Sequence, residues 1–410
     1  MARHTGGEHF GARAQGRFVS VAEQGVIEAI IDAHAARAPV RIIGGGTWLD
    51  GGRPVSATRR VSVRELSAVI DYVPGDLVIT VGAGMTLTEI AAITADHRQW
   101  LALDPPGIND ATIGAVVATA SSGPLALGAG RVRDLVLGVT CIAADGTPVR
   151  AGGRVVKNVA GFDLVRLATG SFGTLGAITE VSVRLHARPE VDETYETILD
   201  DPGVLSELPA RLGLSALGFL SLELLHIAEA QWTVLARVSG NRARVDAQRA
   251  FLGALGTSRE IPGIVWRSIR ATQHGLGDGG LSVRVADAPA KLGNTIVGVE
   301  RALASLGVHG GRVRATPHTG VVRIAIAESA LSAGVATRLV VALEKVGAST
   351  VCEQLPLDAW AAVPPAAADL VSQRIRDAFD PHRIFNRGIF GEHAATHAAA
   401  HVGHATAAVS

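Results

Sequence analysis

The chain has 410 residues, 48 of them glycine, with 4% aromatic and 19% charged residues and a formal net charge of zero from 38 basic and 38 acidic side chains. That length exceeds what a single small binding module needs and allows two or three cored domains, while the balanced charge gives no global field to draw nucleic acid or an anionic membrane. Cys141 and Cys352 are the only cysteines, which excludes a disulfide framework and an iron–sulfur ligand set and fits a reducing, cytoplasmic compartment.

Residues 1–19 carry basic residues without a following apolar core region, so they read as a flexible N-terminus and not a secretory leader; no apolar run reaches a membrane-spanning length. Ser20-Val-Ala-Glu23 has the form of a capping box, and Val26, Ile27, Ile30 and Ile31 keep helical spacing up to Arg37. Pro39 stops that helix, and Val40 to Ile43 predicts a short strand running into Gly44-Gly45-Gly46-Thr47. Leu77 to Val81 predicts another strand, closed by Gly82 and Gly84, after which Thr86-Leu-Thr-Glu89 caps a helix through about Thr94. The apolar run Ala111 to Gly130, broken by Ser121, Ser122 and Pro124, reads as buried loop and helix, and Ala177 to Leu185 alternates as a half-buried strand should.

From about residue 190 the glycine motifs thin out. Strand-like runs such as Trp232 to Val238 and Val321 to Ile326 alternate with Ala/Leu-rich helices, the texture of an antiparallel α+β domain. A helix around Ala366 to Ala378 leads into Phe379-Asp-Pro-His-Arg-Ile-Phe-Asn-Arg-Gly388. The expected division is therefore 1–19 flexible, 20–188 one mixed domain, 189–390 a second, and 391–410 a disordered Ala/His tail. His393, His397 and His401 in that tail would share one face of a helix, but nothing anchors such a helix and no metal site is expected.

Three glycine-rich turns, at 44–46, at 82–84 and within 152–176, suit a cofactor whose phosphates approach bare backbone. In the last of these, Gly161, Gly170, Gly173 and Gly176 would let amide groups reach a ligand. Glycine clusters also build ordinary turns, and the residues alone leave both readings open. Neither of the first two turns completes G-x-G-x-x-G, because Leu49 or Leu87 stands at the third glycine's place, and no G-x-x-x-x-G-K-[ST] run occurs. Between them, Asp104-Pro105-Pro106-Gly107 and Ala111-Thr112-Ile113-Gly114-Ala-Val-Val-Ala118-Thr119 offer small residues and hydroxyls to a large flat ligand, or equally a tightly packed helix.

Those blocks, together with Arg133-Asp134-Leu-Val-Leu-Gly138, Lys157-Asn-Val-Ala-Gly-Phe-Asp-Leu164 and Gly170-Ser-Phe-Gly-Thr-Leu-Gly176, resemble the FAD-binding enzymes of the vanillyl-alcohol oxidase and p-cresol methylhydroxylase superfamily. Within it, the Lys-Asn-Val-Ala-Gly-Phe-Asp stretch and the ending Phe-Asp-Pro-x-x-Ile-Phe-Asn-x-Gly are similar to the FAD-binding E subunits of glycolate oxidases. The resemblance implies an α+β fold: a PCMH-type FAD-binding domain of two subdomains, followed by an antiparallel α+β domain of the FAD-linked oxidase C-terminal kind. It further implies that Gly44, Gly45, Gly46, Thr47, Trp48 and Leu49 hold the FAD pyrophosphate through backbone amides. Pro105, Pro106, Gly107, Thr112, Gly114, Ala118 and Thr119 would then run beside the flavin and pyrophosphate. Gly170, Ser171, Gly173, Thr174, Gly176 and Ile178 would close over the adenosine side. Asn158 and Asp163 stand between flavin contact and loop architecture, and Asn386 belongs to the terminal motif that returns the chain to the flavin domain. Relatives with covalent flavin often carry His after the glycines; Thr47 stands there, so FAD is expected to be dissociable.

Oxidation of a 2-hydroxy acid needs a cation for the carboxylate and a base for the hydroxyl proton. Arg284, similar to an arginine on a sheet facing the flavin, and His318 are the candidates, with a surface cation and a loop histidine as the competing readings. The Asp-Gly-Asn-x-His run of catalytically complete relatives is absent. Its absence, with the shortage of cysteines, points to dependence on a second flavoprotein subunit and an iron–sulfur subunit, with any membrane association peripheral and through these partners. A self-sufficient D-2-hydroxy-acid dehydrogenase and a non-catalytic assembly subunit are the alternatives.

Overall fold

The computed structural model describes residues 13–14, 17–18, 20–107, 111–153, 163–201, 203–215, 217–227, 231–271, 276–277, 279–332, 334–366 and 369–391. Asn158, most of the N-terminal segment and the Ala/His tail from 392 lie outside them. Arg13–Ala14 and Arg17–Phe18 pair as a short antiparallel hairpin.

The first layer is built by the helix Val21–Ala35, whose start is fixed where the Ser20 hydroxyl accepts from the Glu23 amide at 3.1 Å. Val26, Ile30 and Ala33 on one helix face pack against Val40 and Val61 of a parallel strand pair, Val40–Ile43 with Arg59–Ser62. Ile384 and Phe385 complete this core from the far end of the chain. They are brought there by a turn in which the Asp380 carboxylate accepts from the Ile384 and Phe385 amides at 3.0 and 2.8 Å, setting Phe385 beside Val40. The terminal motif thus packs with the first layer and not with the sheet that precedes it in sequence. We retain the division at 188/189 as a proposal.

The second layer is a five-stranded antiparallel sheet in the order Val69–Val73, Val78–Gly82, Ala177–Arg184, Val136–Ile142, Pro148–Gly152. Helices Leu87–Ala95 and Ile113–Thr119 contribute Ile90, Ile113, Val116 and Val117 to its core. The Thr86 capping box forms in full, with Glu89 N donating to Thr86 Oγ1 at 3.1 Å and Thr86 N to Glu89 Oε2 at 2.6 Å. One expectation fails here: Ala177–Arg184 is the central strand, and only Glu180 and Arg184 are partly exposed. Its second face is closed by small hydroxyl side chains, Ser182 bonding Thr80 at 2.8 Å, so the alternation conceals burial on both sides.

The third layer is an eight-stranded antiparallel sheet ordered Gly256–Ile261, Val191–Leu199, Gln231–Gly240, Ser221–Ile227, Arg312–Thr316, Val321–Ile326, Leu281–Ala286, Ser349–Gln354. Val283, Val285, Val322 and Ile324 share a core with helices Leu292–Ser305 and Val335–Leu343. Successive strand residues point to opposite faces, so Ser282, Arg284 and Arg323 lie on the face away from those helices. The fold class is the expected α+β.

Candidate active site

A cleft opens between the first two layers, enclosing with its open mouth about 770 Å³. One wall is the strand end and turn from Arg41 to Leu49; the other is the helix Ile113–Thr119, with the 172–178 turn and the terminal motif closing the end. Of the sequence candidates, Gly44, Gly46, Thr47, Trp48, Leu49, Gly114, Ala118, Thr119, Gly173, Gly176, Ile178 and Asn386 line it.

One feature shows that this cleft fits an oxygen-rich ligand. The Thr47 and Thr112 hydroxyls are buried and have no partner among the described residues, a condition that costs about 1–3 kcal/mol per group unless a ligand supplies the bond. Gly44 lies against Thr112, and a Cβ there would overlap that hydroxyl. Thr112 itself does not line the cleft: its hydroxyl fills the space that the missing Gly44 side chain leaves, so Thr47 is the unpartnered hydroxyl at the cleft wall.

Asn386 ties the cleft shut at its end. Its side chain accepts from the Ile42 amide at 3.0 Å and donates to the Phe172 carbonyl at 2.6 Å, and its left-handed backbone (φ 42°) suits Asn better than most residues. It lines the cleft while joining the strand that leads into the glycine turn to the turn facing it. Arg41 was not among the sequence candidates and also lines the cleft, donating to the Leu49 carbonyl across the glycine turn. Burial, then neighbouring Arg60, holds its guanidinium below the ordinary value.

Other candidates fall elsewhere. Gly45 is exposed and does not line the cleft. The Gly170 and Phe172 amides donate to Val117 and Ala118 carbonyls, and the Gly173 amide to Ser171 Oγ, so these groups serve the turn and are not offered to a ligand. Thr174 likewise bonds the Ser171 carbonyl at 2.7 Å, and Thr119 the Ala115 carbonyl at 2.8 Å. Asp163 caps the helix Leu164–Ala168, accepting from Arg166 N at 3.1 Å, which is the loop reading of that residue. Gly82 and Gly84 pass so close to the Leu66 and Val63 carbonyls that a Cβ would overlap them; this second glycine turn serves chain crossing.

The 104–107 loop faces the third layer. Gly107 N donates to the Arg270 carbonyl at 3.0 Å, and Pro105 is buried beside it. Asp104 is buried, and desolvation pushes its carboxyl up to about 7 despite the Leu125 amide and the pull of Arg270, Arg237 and Arg314. Pro106 lines a second cavity of about 290 Å³ with Trp48, Asp50, Gly51, Ser282, Glu353 and Gln354. Trp48 and Gly51 line both cavities, so the two adjoin.

The second cavity borders the polar face of the eight-stranded sheet. There Arg323 stands opposite both Arg314 and Arg284 on neighbouring strands. Like charges placed opposite one another destabilise a sheet, and two carboxylates offset this row. Glu223 lies 3.8 Å from Arg314 and accepts from Thr316 Oγ1 at 2.9 Å. Glu353 pairs with Arg284 Nε at 2.8 Å and accepts from Ser282 Oγ at 3.2 Å. Burial lowers the Arg284 guanidinium, Glu353 opposes that, and Arg323 and Arg131 add to the lowering. Among the described residues Arg284 has no partner beyond Glu353, and that pairing is at Nε. Its terminal nitrogens remain as an unpaired two-donor edge, the geometry that grips a carboxylate.

His318 sits in the turn between Arg312–Thr316 and Val321–Ile326. Its Nδ1 is buried without a partner, and burial, then Arg131, brings the imidazole down to about 4. It is therefore neutral near pH 7. Arg131 acts on both Arg284 and His318, so the two sequence candidates belong to one electrostatic neighbourhood. Glu353, Arg323, Ser282 and Arg131 were not singled out in the sequence; an acid on a Thr-Val-Cys-Glu-Gln strand reads as an outward edge residue until its neighbour is known.

Two α+β layers enclose a cleft, and a large antiparallel sheet presents cations beside it. Residues 18–152 match the model of a family described as FAD binding domain. The chain is 34% identical over 251 residues to glycolate oxidase subunit GlcE of Escherichia coli, covering 61% of this chain and 69% of that one. It is 32% identical over 216 residues to a D-lactate dehydrogenase of Archaeoglobus fulgidus, covering 51% and 46% respectively. In fold it is similar to alkyldihydroxyacetonephosphate synthase, with a TM-score of 0.66 and 17% identity over 89% of this chain and 74% of that one. The chain belongs to the family of PCMH-type FAD-binding oxidoreductases that includes glycolate oxidase subunit GlcE, and its cofactor is FAD.

Proposed function

We propose that the protein is the FAD-binding subunit of a 2-hydroxy-acid oxidase complex of the glycolate type, working with a second flavoprotein subunit and an iron–sulfur subunit. The observation that carries this reading is the unpaired terminal edge of Arg284 on the sheet face beside the cavity that adjoins the flavin cleft. Bound FAD supplies the hydride acceptor. Arg284 grips the substrate carboxylate through its two terminal nitrogens, which fixes the α-carbon relative to the cleft. Neutral His318, with Nδ1 unpaired, takes the hydroxyl proton. Thr47 and Arg41, which line the cleft, would hold the cofactor's diphosphate end, and Trp48, lining both cavities, would separate cofactor from substrate. Among the described residues no His, Cys or Tyr lines the cleft, and Thr47 stands after the glycines, which supports a dissociable flavin. Dependence on an iron–sulfur partner is supported by the chain's two cysteines, too few to ligate a cluster, and by the subunit naming of the E. coli relative.

A second reading, a self-sufficient D-2-hydroxy-acid dehydrogenase, is favoured by the neutral buried imidazole, which supplies a base on this chain itself, under the same Arg131 field that acts on Arg284. Anaerobic addition of glycolate and D-lactate to the FAD-loaded chain separates the two. Bleaching of the flavin absorbance by either acid supports self-sufficiency. A yellow protein that bleaches only after partner subunits are added supports the complex. A chain that never takes up FAD contradicts both.

A further inference from the structure

Glu353 is held at three points. Its backbone carbonyl accepts from Gly52 N at 2.7 Å, one carboxylate oxygen receives the Ser282 hydroxyl, and the other lies 2.8 Å from Arg284 Nε. Gly52 follows directly on the turn that lines the flavin cleft. Glu353 is thus the physical link between the cofactor turn and the arginine that the proposed function assigns to the substrate carboxylate. Its side chain is 18% exposed and that of Arg284 37%, so the carboxylate side of the pair is shielded from water while the arginine side reaches it.

An arginine on a sheet, left alone opposite Arg323, would be driven away from that neighbour and would sample many rotamers. Pairing at Nε removes both freedoms. The ion pair holds the guanidinium at its Nε end, 2.8 Å from the carboxylate, and leaves the terminal nitrogens, which make no bond among the described residues, for a substrate carboxylate. We propose that Glu353 is a positioning residue: it orients the Arg284 guanidinium for a substrate carboxylate and couples that orientation to the flavin turn through the Gly52 amide. The inference rests on Arg284 being the carboxylate-binding cation.

The test is calorimetric titration of the full FAD-loaded chain with oxalate, a planar dianion that presents the same carboxylate and cannot be oxidised at an α-carbon. Glu353→Ala should weaken oxalate binding about tenfold, and Glu353→Gln, which keeps the shape and the Ser282 bond but not the charge that pairs with Arg284, should weaken it nearly as much. The Gly52 bond is to main chain, so the FAD content of both variants should match the parent, which also verifies that they fold. Arg284→Gln should abolish detectable binding. Unchanged or tighter oxalate binding in Glu353→Ala, with binding lost in Arg284→Gln, overturns the positioning role and leaves the carboxylate site standing. Unchanged binding in Arg284→Gln overturns the carboxylate site itself.

Discussion

The cleft and the arginine face both offer places for anions, and they do so by opposite means. The cleft relies on what is missing: glycines without side chains, the Thr47 hydroxyl without a partner and an arginine committed to a carbonyl. The sheet face relies on surplus charge, three guanidiniums in register offset by two carboxylates. A backbone cradle costs little to bury and suits a cofactor retained through many cycles. Buried cations are costly unless paired, and the one with an unpaired edge suits a ligand that comes and goes.

The largest effect should come from filling the cradle. Gly44→Val places branched methyls where the Thr112 hydroxyl lies, and the purified variant should lack flavin absorbance even after incubation with excess FAD. Retention of stoichiometric FAD would show that the cleft does not hold the diphosphate at this turn. On the other side of the comparison, Arg284→Gln should lower kcat/KM for the hydroxy acid about a hundredfold, a loss of about 2.7 kcal/mol, while leaving FAD content unchanged. If flavin content falls instead, the two regions are not separable.

Asp104 sits where the flavin layers meet the third sheet, and its pH dependence probes that junction. Its carboxyl is held near 7 in the folded chain against an ordinary value of 3.8, so the folded state keeps a proton that the unfolded chain has released. Its contribution to stability is therefore complete below about 4 and is lost as pH rises to about 7. Asp104→Asn should leave thermal unfolding at pH 4 unchanged and raise stability at pH 8 on the order of 2–4 kcal/mol. His318 has the opposite sign: its folded value near 4 lies below the ordinary 6.5, so its contribution is lost as pH falls between those values. The difference between Asp104→Asn and parent isolates the first slope from the second. A smaller loss, about 1–2 kcal/mol, is expected for Asn386→Ala, which removes bonds to Ile42 and Phe172; differential scanning calorimetry would measure it.

The sequence made one of the two regions far more legible than the other, for a physical reason. Gly44 to Leu49 carry their chemistry on contiguous backbone, so strand, turn and cradle are readable in one short run. The same reading erred at Gly82 and Gly84, where the missing Cβ admits the Leu66 and Val63 carbonyls, because composition cannot say what comes close. It also assigned Gly170 and Gly173 amides to a ligand, although they are consumed by Val117 and Ser171. On the sheet, Arg284 was legible through resemblance, but its meaning depends on Arg323 and Glu353, which pairing of the sheet's strands brings alongside. Nothing local marks Glu353 as a partner. The central strand Ala177–Arg184 shows the same limit: its alternation is real, but the small hydroxyl side chains of the second face are buried too, at the floor of a cavity that Thr80 and Ser182 line.

The central claim is that the glycine-turn cleft holds FAD directly beside the free edge of Arg284. A crystal structure of the FAD-loaded chain with oxalate tests it most directly. The account requires the diphosphate against Gly44 and Thr47, and an oxalate carboxylate bridging the two terminal nitrogens of Arg284. A cleft filled by protein side chains, or oxalate bound at another surface while Arg284 stays unpaired, would contradict it.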